Sequence, residues 1–266
     1  MSEQSSSLVE IQDLGSGIVK IILNDPSHQN TLSEKMIDEL QSVFDAHTSG
    51  QSRVLVLAAS GKVFSAGHDL KELKAARSNT DQGKEYFQFI LKKCSTLMQS
   101  IVHHPKPVIA QVDGVATAAG CQLALSCDLI YASSSSRYAT PGVNIGLFCS
   151  TPMVALSRNA SVKHSMEMLL TGDFISAGEA ADMGLINKSL EQADLESYVL
   201  EKAKKIAAKS KTTLKIGKKA FYEQIEMPLS KAYEYASQVM VENMLEHDAK
   251  EGIEAFLDKR PPSWKE

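Results

Sequence analysis

None of the four cysteines in this 266-residue chain stands in a C-x-x-C pair or at metal-site spacing from a histidine. Cys94, Cys121, Cys127 and Cys149 therefore read as reduced, mostly buried thiols of a cytosol-like compartment, with neither a disulfide nor a structural metal expected. No apolar run reaches the length of a membrane span. Residues 1–7 lack the basic start and apolar segment of a secretory signal, and an Arg-rich, acid-poor import sequence is missing too. Charge of one sign is also scarce: 28 Lys and Arg against 32 Asp and Glu leave a net −4, which gives no global reason to expect nucleic acid or an anionic membrane. There is no internal repeat and no low-complexity linker. A bacterial cytoplasm is the expected location, or the mitochondrial matrix for a eukaryotic chain already processed.

What is present suits a soluble globular protein with a substantial core, at 43% hydrophobic and 23% charged residues. The chain is organised around residues 112–128. An apolar strand over 107–112 passes through small residues with two glycines, then becomes apolar at helical spacing in Leu123, Ala124 and Cys127. Side chains no larger than Ala at 118–120 leave the backbone bare, so a ligand can approach the N–H groups that a helix start leaves unpaired. Such amides suit an anion, or an oxygen that becomes one during reaction. The same small residues would equally let a helix pack closely on a sheet. A second stretch, 62–72, has the same character: it follows a strand and places small residues and Gly67 before a helix. Two such turns after neighbouring parallel strands would lie side by side, and paired amides make an oxyanion hole.

The N-terminal part reads as a hairpin of strands 8–12 and 18–23 around Gly15 and Gly17. Thr31 and Glu34 form a capping-box pattern before a helix with Met36, Ile37, Leu40, Val43 and Phe44 on one face, and a buried strand over 53–59 follows. Strand, helix and strand in that order predict a βαβ unit and a mostly parallel sheet. A long helix carries Tyr86, Ile90, Cys94, Leu97 and Ile101 on one face. His103 and His104 read as solvated loop residues. A strand over 128–132 leads to a loop over 138–152 that should overhang the site. Beyond it come a capping signal at Ser176 to Glu179, a short strand over 185–187, and a shift to long helices near Gln192, giving a core over 1–191 and a helical region over 192–266. One of those helices carries Ala236, Val239, Met240 and Met244 as a stripe that suits a sister subunit. The lysines between Lys202 and Lys219 read as a solvated face, since no aromatics interleave them.

Taken together, these stretches resemble the enoyl-CoA hydratase/isomerase (crotonase) superfamily. The resemblance runs from Ile18 to Arg260. It is most specific in Phe64-Ser65-Ala66-Gly67-His68-Asp69-Leu70, in Pro107-Val108-Ile109-Ala110 leading to Asp113-Gly114, and in Gly120-Cys121-Gln122-Leu123-Ala124. It implies an α/β fold, the crotonase (ClpP-like) spiral of ββα units, with a C-terminal helical region that builds a trimer, often paired into a hexamer. It also implies an acyl-CoA thioester as the partner, with coenzyme A as part of the substrate and no further cofactor, in fatty-acid or related lipid metabolism. Carried over by position, the thioester oxygen meets the amides of His68 and Ala119. The pocket wall includes Gln29, Ala66, Asp69, Leu70 and Lys71, while Phe256 and Lys259 match positions that reach a neighbouring subunit's CoA.

The departures carry as much information. The two glutamates with which family hydratases add water fall at Gln122 and Gly142. Gln122 can orient a water or a carbonyl but moves no proton near neutral pH, and Gly142 offers only backbone, at a turn position where a positive φ would resist substitution. Cys149 on the overhanging loop and the His68 ring are the candidate replacements. Three outcomes follow: an acyl-CoA enzyme nominally of the hydratase kind with its hydration mechanism impaired, an acyl-CoA decarboxylase or thioesterase working through the oxyanion hole, or an inactive acyl-CoA-binding regulator.

Overall fold

The structure, a computed structural model, describes residues 7–265. The chain opens with a hairpin of β1 (Val9–Asp13) and β2 (Ile18–Leu23), followed by helix α1 (Glu34–Ala46). A first turn of a spiral comprises β3 (Val54–Ala59), the short β4 (Val63–Ser65), α2 (Leu70–Ala76) and α3 (Lys84–Val102). The second comprises β5 (Val108–Val112), β6 (Val115–Thr117) and α4 (Ala119–Leu125). In the third come β7 (Leu129–Ser133), β8 (Arg137–Ala139), α5 (Pro152–Asn159) and α6 (Val162–Thr171). After β9 (Ile175–Ser176), α7 (Ala177–Asp182) and β10 (Lys188–Leu190), the chain ends in α8 (Gln192–Ala207), α9 (Lys211–Gln224), α10 (Leu229–Leu245) and α11 (His247–Leu257).

Each turn gives its first strand to one sheet and its second to another. The six-stranded sheet runs β1-β2-β3-β5-β7-β10, parallel except for the β1–β2 hairpin. The smaller sheet runs β4-β6-β8-β9, with β4, β6 and β8 parallel and β9 antiparallel. This is the α/β spiral of ββα units that the resemblance implied.

Both faces of the large sheet are covered, which is why its central strands read as unbroken apolar runs. In β3, Leu55 and Leu57 point into a core with Leu40 and Phe44 of α1 and Leu97 and Ile101 of α3. Val54 and Val56, on the alternate face, meet Leu195, Val199 and Ala203 of α8. The segment beyond Gln192 thus begins with a helix that packs on the sheet.

Several local expectations shift. Ser33, not Thr31, caps α1, accepting from the Met36 N–H at 3.2 Å. Residues 185–187 are not a strand: Leu185 and Ile186 plug the core, and the strand comes one step later as β10. Lys218 is no part of a solvated face. Its side chain is 9% exposed and its ammonium bonds Asp128 at 2.7 Å and the Ile101 and Lys106 carbonyls at 3.1 Å each.

His104 is likewise a core residue, 3% exposed, whereas its neighbour His103 faces solvent. In its neutral form Nε2–H donates to the Phe44 carbonyl at 3.2 Å, while Nδ1 accepts from the Lys106 N–H at 3.2 Å. Burial is the largest influence on its pKa, which falls to about 4. Below pH 6.5 the unfolded chain takes up a proton that the folded chain refuses until about pH 4. Stability is therefore expected to fall by about 3 kcal/mol across that window. Urea unfolding at stepped pH should show this slope in the parent and lose it in His104→Gln; an unchanged slope in the variant would place its source elsewhere.

Candidate functional site

β4 and β6 pair in parallel, so the turns leaving them lie side by side. Their closeness is visible at the glycines. A Cβ on Gly67, which holds φ +87°, would stand 3.0 Å from the Ala118 Cβ and 3.1 Å from the Ala119 nitrogen. A Cβ on Gly120 would stand 2.2 Å from the Ser65 carbonyl oxygen. Glycine there is what allows α4 to rest directly on β4. The Ala118 N–H donates to the Ala139 carbonyl at 3.0 Å, and the first bond along α4 runs from the Gln122 N–H to the Ala118 carbonyl at 3.1 Å. The amides of Ala119, Gly120 and Cys121 precede that bond, so they have no acceptor within the helix.

The first turn is fastened on its other side. The Ala66 N–H donates to the Gln29 carbonyl at 3.1 Å, and the Leu32 N–H to the Gly67 carbonyl at 2.8 Å. Gln29 and Asn30 both hold left-handed backbone, at φ 56° and 49°. Fully buried Asn30 makes that bend possible: Nδ2 donates to the Ser60 and Val63 carbonyls at 2.9 and 2.7 Å, and Oδ1 accepts from the Asp25 N–H at 2.8 Å. Its role was missed in the sequence, where the only signal is an Asn after the Pro26 break, a residue type that tolerates this conformation.

Asp69 caps α2 by accepting from the Lys71 N–H at 2.7 Å. Gln29, Asp69 and Lys71 join Ser27, His28 and Thr31 around a cleft of about 220 Å³. Ala66 lies behind them, half-buried, and Leu70 is 55% exposed. Of the residues expected on the wall, Gln29, Asp69 and Lys71 line this cleft, whereas Ala66 and Leu70 do not. Phe256 and Lys259 do not line this cleft: Phe256 lies in the last turn of α11, which packs on α9 and α10, and is 83% exposed, while Lys259 follows just beyond the helix.

The five residues at the candidate reacting positions divide by chemistry. His68 turns its ring inward, and both nitrogens are buried without a hydrogen-bonding partner among the described residues. Burial holds its pKa below the ordinary value; the Leu32 carbonyl favours the charged ring, but it lies outside good hydrogen-bond geometry and burial prevails. The imidazole is neutral at pH 7. Gln122, one turn along α4 from Ala118, is 5% exposed, and its Oε1 has no partner either. Cys149 is not an open loop thiol. It is 7% exposed and accepts from the Gly142 N–H at 3.3 Å. Burial raises its pKa against the opposing Gly142 amide, so it stays a thiol rather than a nucleophilic thiolate. Buried Cys94 and Cys121 are pushed up to about 12 by the same cause.

At Gly142 the obstacle to a side chain is steric rather than conformational, because the backbone there is not left-handed. A Cβ would meet the Leu147 carbonyl oxygen at 2.6 Å and the Cys149 Sγ at 2.9 Å. The 3-10 turn over 141–145 closes on itself, with the Leu147 N–H donating to the Gly142 carbonyl at 2.9 Å, and Cys149 fills the remaining space.

The sequence model for enoyl-CoA hydratase/isomerase matches residues 13–266, nearly the whole chain. The chain belongs to the enoyl-CoA hydratase/isomerase family. Enoyl-CoA hydratase domain-containing protein 3, mitochondrial, of Rattus norvegicus is 48% identical over 249 residues, covering 93% of this chain and 81% of the relative. Enoyl-CoA hydratase, mitochondrial, of Pongo abelii is 33% identical, covering 92% and 83%. The crystal structure of human enoyl Coenzyme A hydratase domain-containing protein 3 superposes at a TM-score of 0.92 with 46% identity, covering 97% of this chain and 100% of that one. An enoyl-CoA hydratase of Mycobacterium smegmatis gives a TM-score of 0.93 at 43% identity, covering 97% and 99%. Among the described residues, no helix of this family member is long and apolar enough to cross a membrane.

Proposed function

We propose that the chain binds acyl-CoA thioesters with the thioester oxygen at the His68 and Ala119 amides, and that it is a poor hydratase. The observation that supports this reading is the closeness of the two turns: a Cβ on Gly67, next to His68, would stand 3.1 Å from the Ala119 nitrogen. The cleft with Lys71 suits the phosphates of CoA. Oxyanion stabilisation is retained, while proton transfer is depleted: Gln122 is an amide, Gly142 has no side chain, and Cys149 is held as a thiol. Of the five candidate residues, His68 alone can accept a proton at neutral pH. That set favours acyl-CoA chemistry needing no strong base, such as decarboxylation or thioester hydrolysis, over water addition.

The C-terminal helices support self-association into a trimer, or a hexamer of paired trimers. In the single chain Met240 and Met244 of the apolar stripe are 60% and 59% exposed, and Leu229 and Leu245 are 75% and 83% exposed. Phe256 and Lys259 would then serve a neighbouring subunit's ligand. The mitochondrial names of the animal relatives fit a mitochondrial matrix location for a eukaryotic chain, and a bacterial chain would work in the cytoplasm.

Titration with acetyl-CoA should show binding, and a panel of malonyl-type, enoyl and saturated esters should release carbon dioxide or free thiol faster than it hydrates crotonyl-CoA. Efficient hydration, or no binding by folded protein, would refute the reading. Gln122→Glu is nearly isosteric, but adding Gly142→Glu drives a Cβ into the Leu147 carbonyl. The double variant is therefore expected to hydrate crotonyl-CoA no faster than the single one, and a gain of tenfold or more would show that the loop yields.

A further inference from the structure

Ala118 adopts φ 50° and ψ −122°, a backbone conformation that glycine takes freely and that an L side chain resists. Among the described residues, five other non-glycine residues hold positive φ, namely Ser16, Gln29, Asn30, Gln82 and Lys259, all of them polar. Ala118 differs in lying between two packed turns, and its methyl has a definite neighbour. The Cβ direction of Gly67 points at the Ala118 Cβ, 3.0 Å from where its own Cβ would be. The methyl thus occupies the gap between the turn that bears His68 and the turn that bears Ala119. The two turns also carry buried polar atoms without a hydrogen-bonding partner among the described residues: both ring nitrogens of His68, and Oε1 of Gln122 on α4.

We infer that Ala118 is a positioning residue: its methyl, held in a disfavoured conformation, sets the spacing and mutual order of the His68 and Ala119 amides. This rests on the acyl-CoA reading for its consequence in binding, but its structural part can be judged without a ligand. A glycine at 118 would relax the backbone and leave a methyl-sized space between the turns. Strain relief favours the folded variant, while the freer unfolded chain opposes it. A residue present only for packing would lose stability on truncation.

Ala118→Gly should melt at the parent's temperature or about 2–4 °C above it. At the same time, acetyl-CoA should bind at least tenfold more weakly, and without ligand the His68 and Ala119 amide resonances should broaden at least twofold as the turns lose a single spacing. Ala118→Ser, which keeps the Cβ, should restore sharp resonances and binding. Three results would overturn the inference: parent-like line widths at both amides in Ala118→Gly, a melting temperature that drops in step with binding, or no restoration by serine. A parent that binds no acyl-CoA would refute the proposed function alone, since the line-width comparison would still decide the role of Ala118.

Discussion

Gly120→Ala is expected to destabilise the fold by about 3 kcal/mol or more and to remove acyl-CoA binding with it. The added Cβ would lie 2.2 Å from the Ser65 carbonyl oxygen and 2.7 Å from both the carbonyl carbon and the Cβ of Ser65. All three belong to β4, or depend on its backbone, so no rotamer change can relieve the contact. α4 must lift away from the short sheet, and because that helix begins at Ala119, the displacement reaches the amides at once. Gly178→Ala is the matched control. That glycine also sits in the first turn of a helix, α7, but a Cβ there meets nothing closer than the Ser176 Oγ at 3.8 Å. It should be neutral or stabilise by up to about 1 kcal/mol, as alanine does over glycine in helices generally. Parallel urea unfolding and acetyl-CoA titration test the pair, and a Gly120→Ala protein with the parent's midpoint would refute the steric argument.

A second large effect is expected where α9 meets the body. α9 has no fully buried residue, so its attachment is polar. Asp128 accepts from the Val108 N–H at 2.7 Å, the Lys218 ammonium at 2.7 Å and the Tyr222 hydroxyl at 3.0 Å. Burial pushes the Asp128 carboxyl up and the Lys218 amine down, and their mutual attraction opposes both shifts. Asp128→Asn keeps the shape but leaves a buried ammonium uncompensated, at a cost of about 3–5 kcal/mol. Combining it with Lys218→Met should recover a large part of that loss, because the stranded charge is gone; the Ile101 and Lys106 carbonyls still lose a donor, so recovery is incomplete. Limited proteolysis within residues 208–228 should accelerate in the single variant and slow again in the double one. Equal stability of parent and Asp128→Asn would mean that the pair contributes nothing to docking.

How far each of these features could be read beforehand depended on whether its cause was local. Met36, Ile37, Leu40 and Phe44 recur at helical spacing, and the Ser176–Glu179 capping box closes within four residues, so both were legible. The two small-residue turns were legible for the same reason. β4, β6 and β8 were not, because three residues are too few to display alternation and their pairing partners lie far along the chain. Lys218 and His104 read as solvated because nothing nearby in sequence announces Asp128 or the Phe44 carbonyl. Gly142 invited an explanation from backbone freedom, whereas its true constraint, the Leu147 carbonyl and the Cys149 sulfur, comes from how the loop folds back. Asn30 was visible as a residue but not as the clamp of its turn, since its acceptors lie at positions 60 and 63.

The order of the large sheet, β1-β2-β3-β5-β7-β10, never places a later strand between two earlier ones. During synthesis, each new strand can add to an exposed edge as it leaves the ribosome, without reopening pairs already made. The outer face is different. Ile18, Val54, Val56 and Ile109 find their cover only in α8, which arrives after all six strands. A growing chain therefore completes one face of the sheet progressively and carries the other bare until residues 192–207 emerge. Stalling before that point would expose a sticky apolar surface on an otherwise well-paired sheet, which makes the arrival of α8 the step that closes the fold's aggregation-prone face.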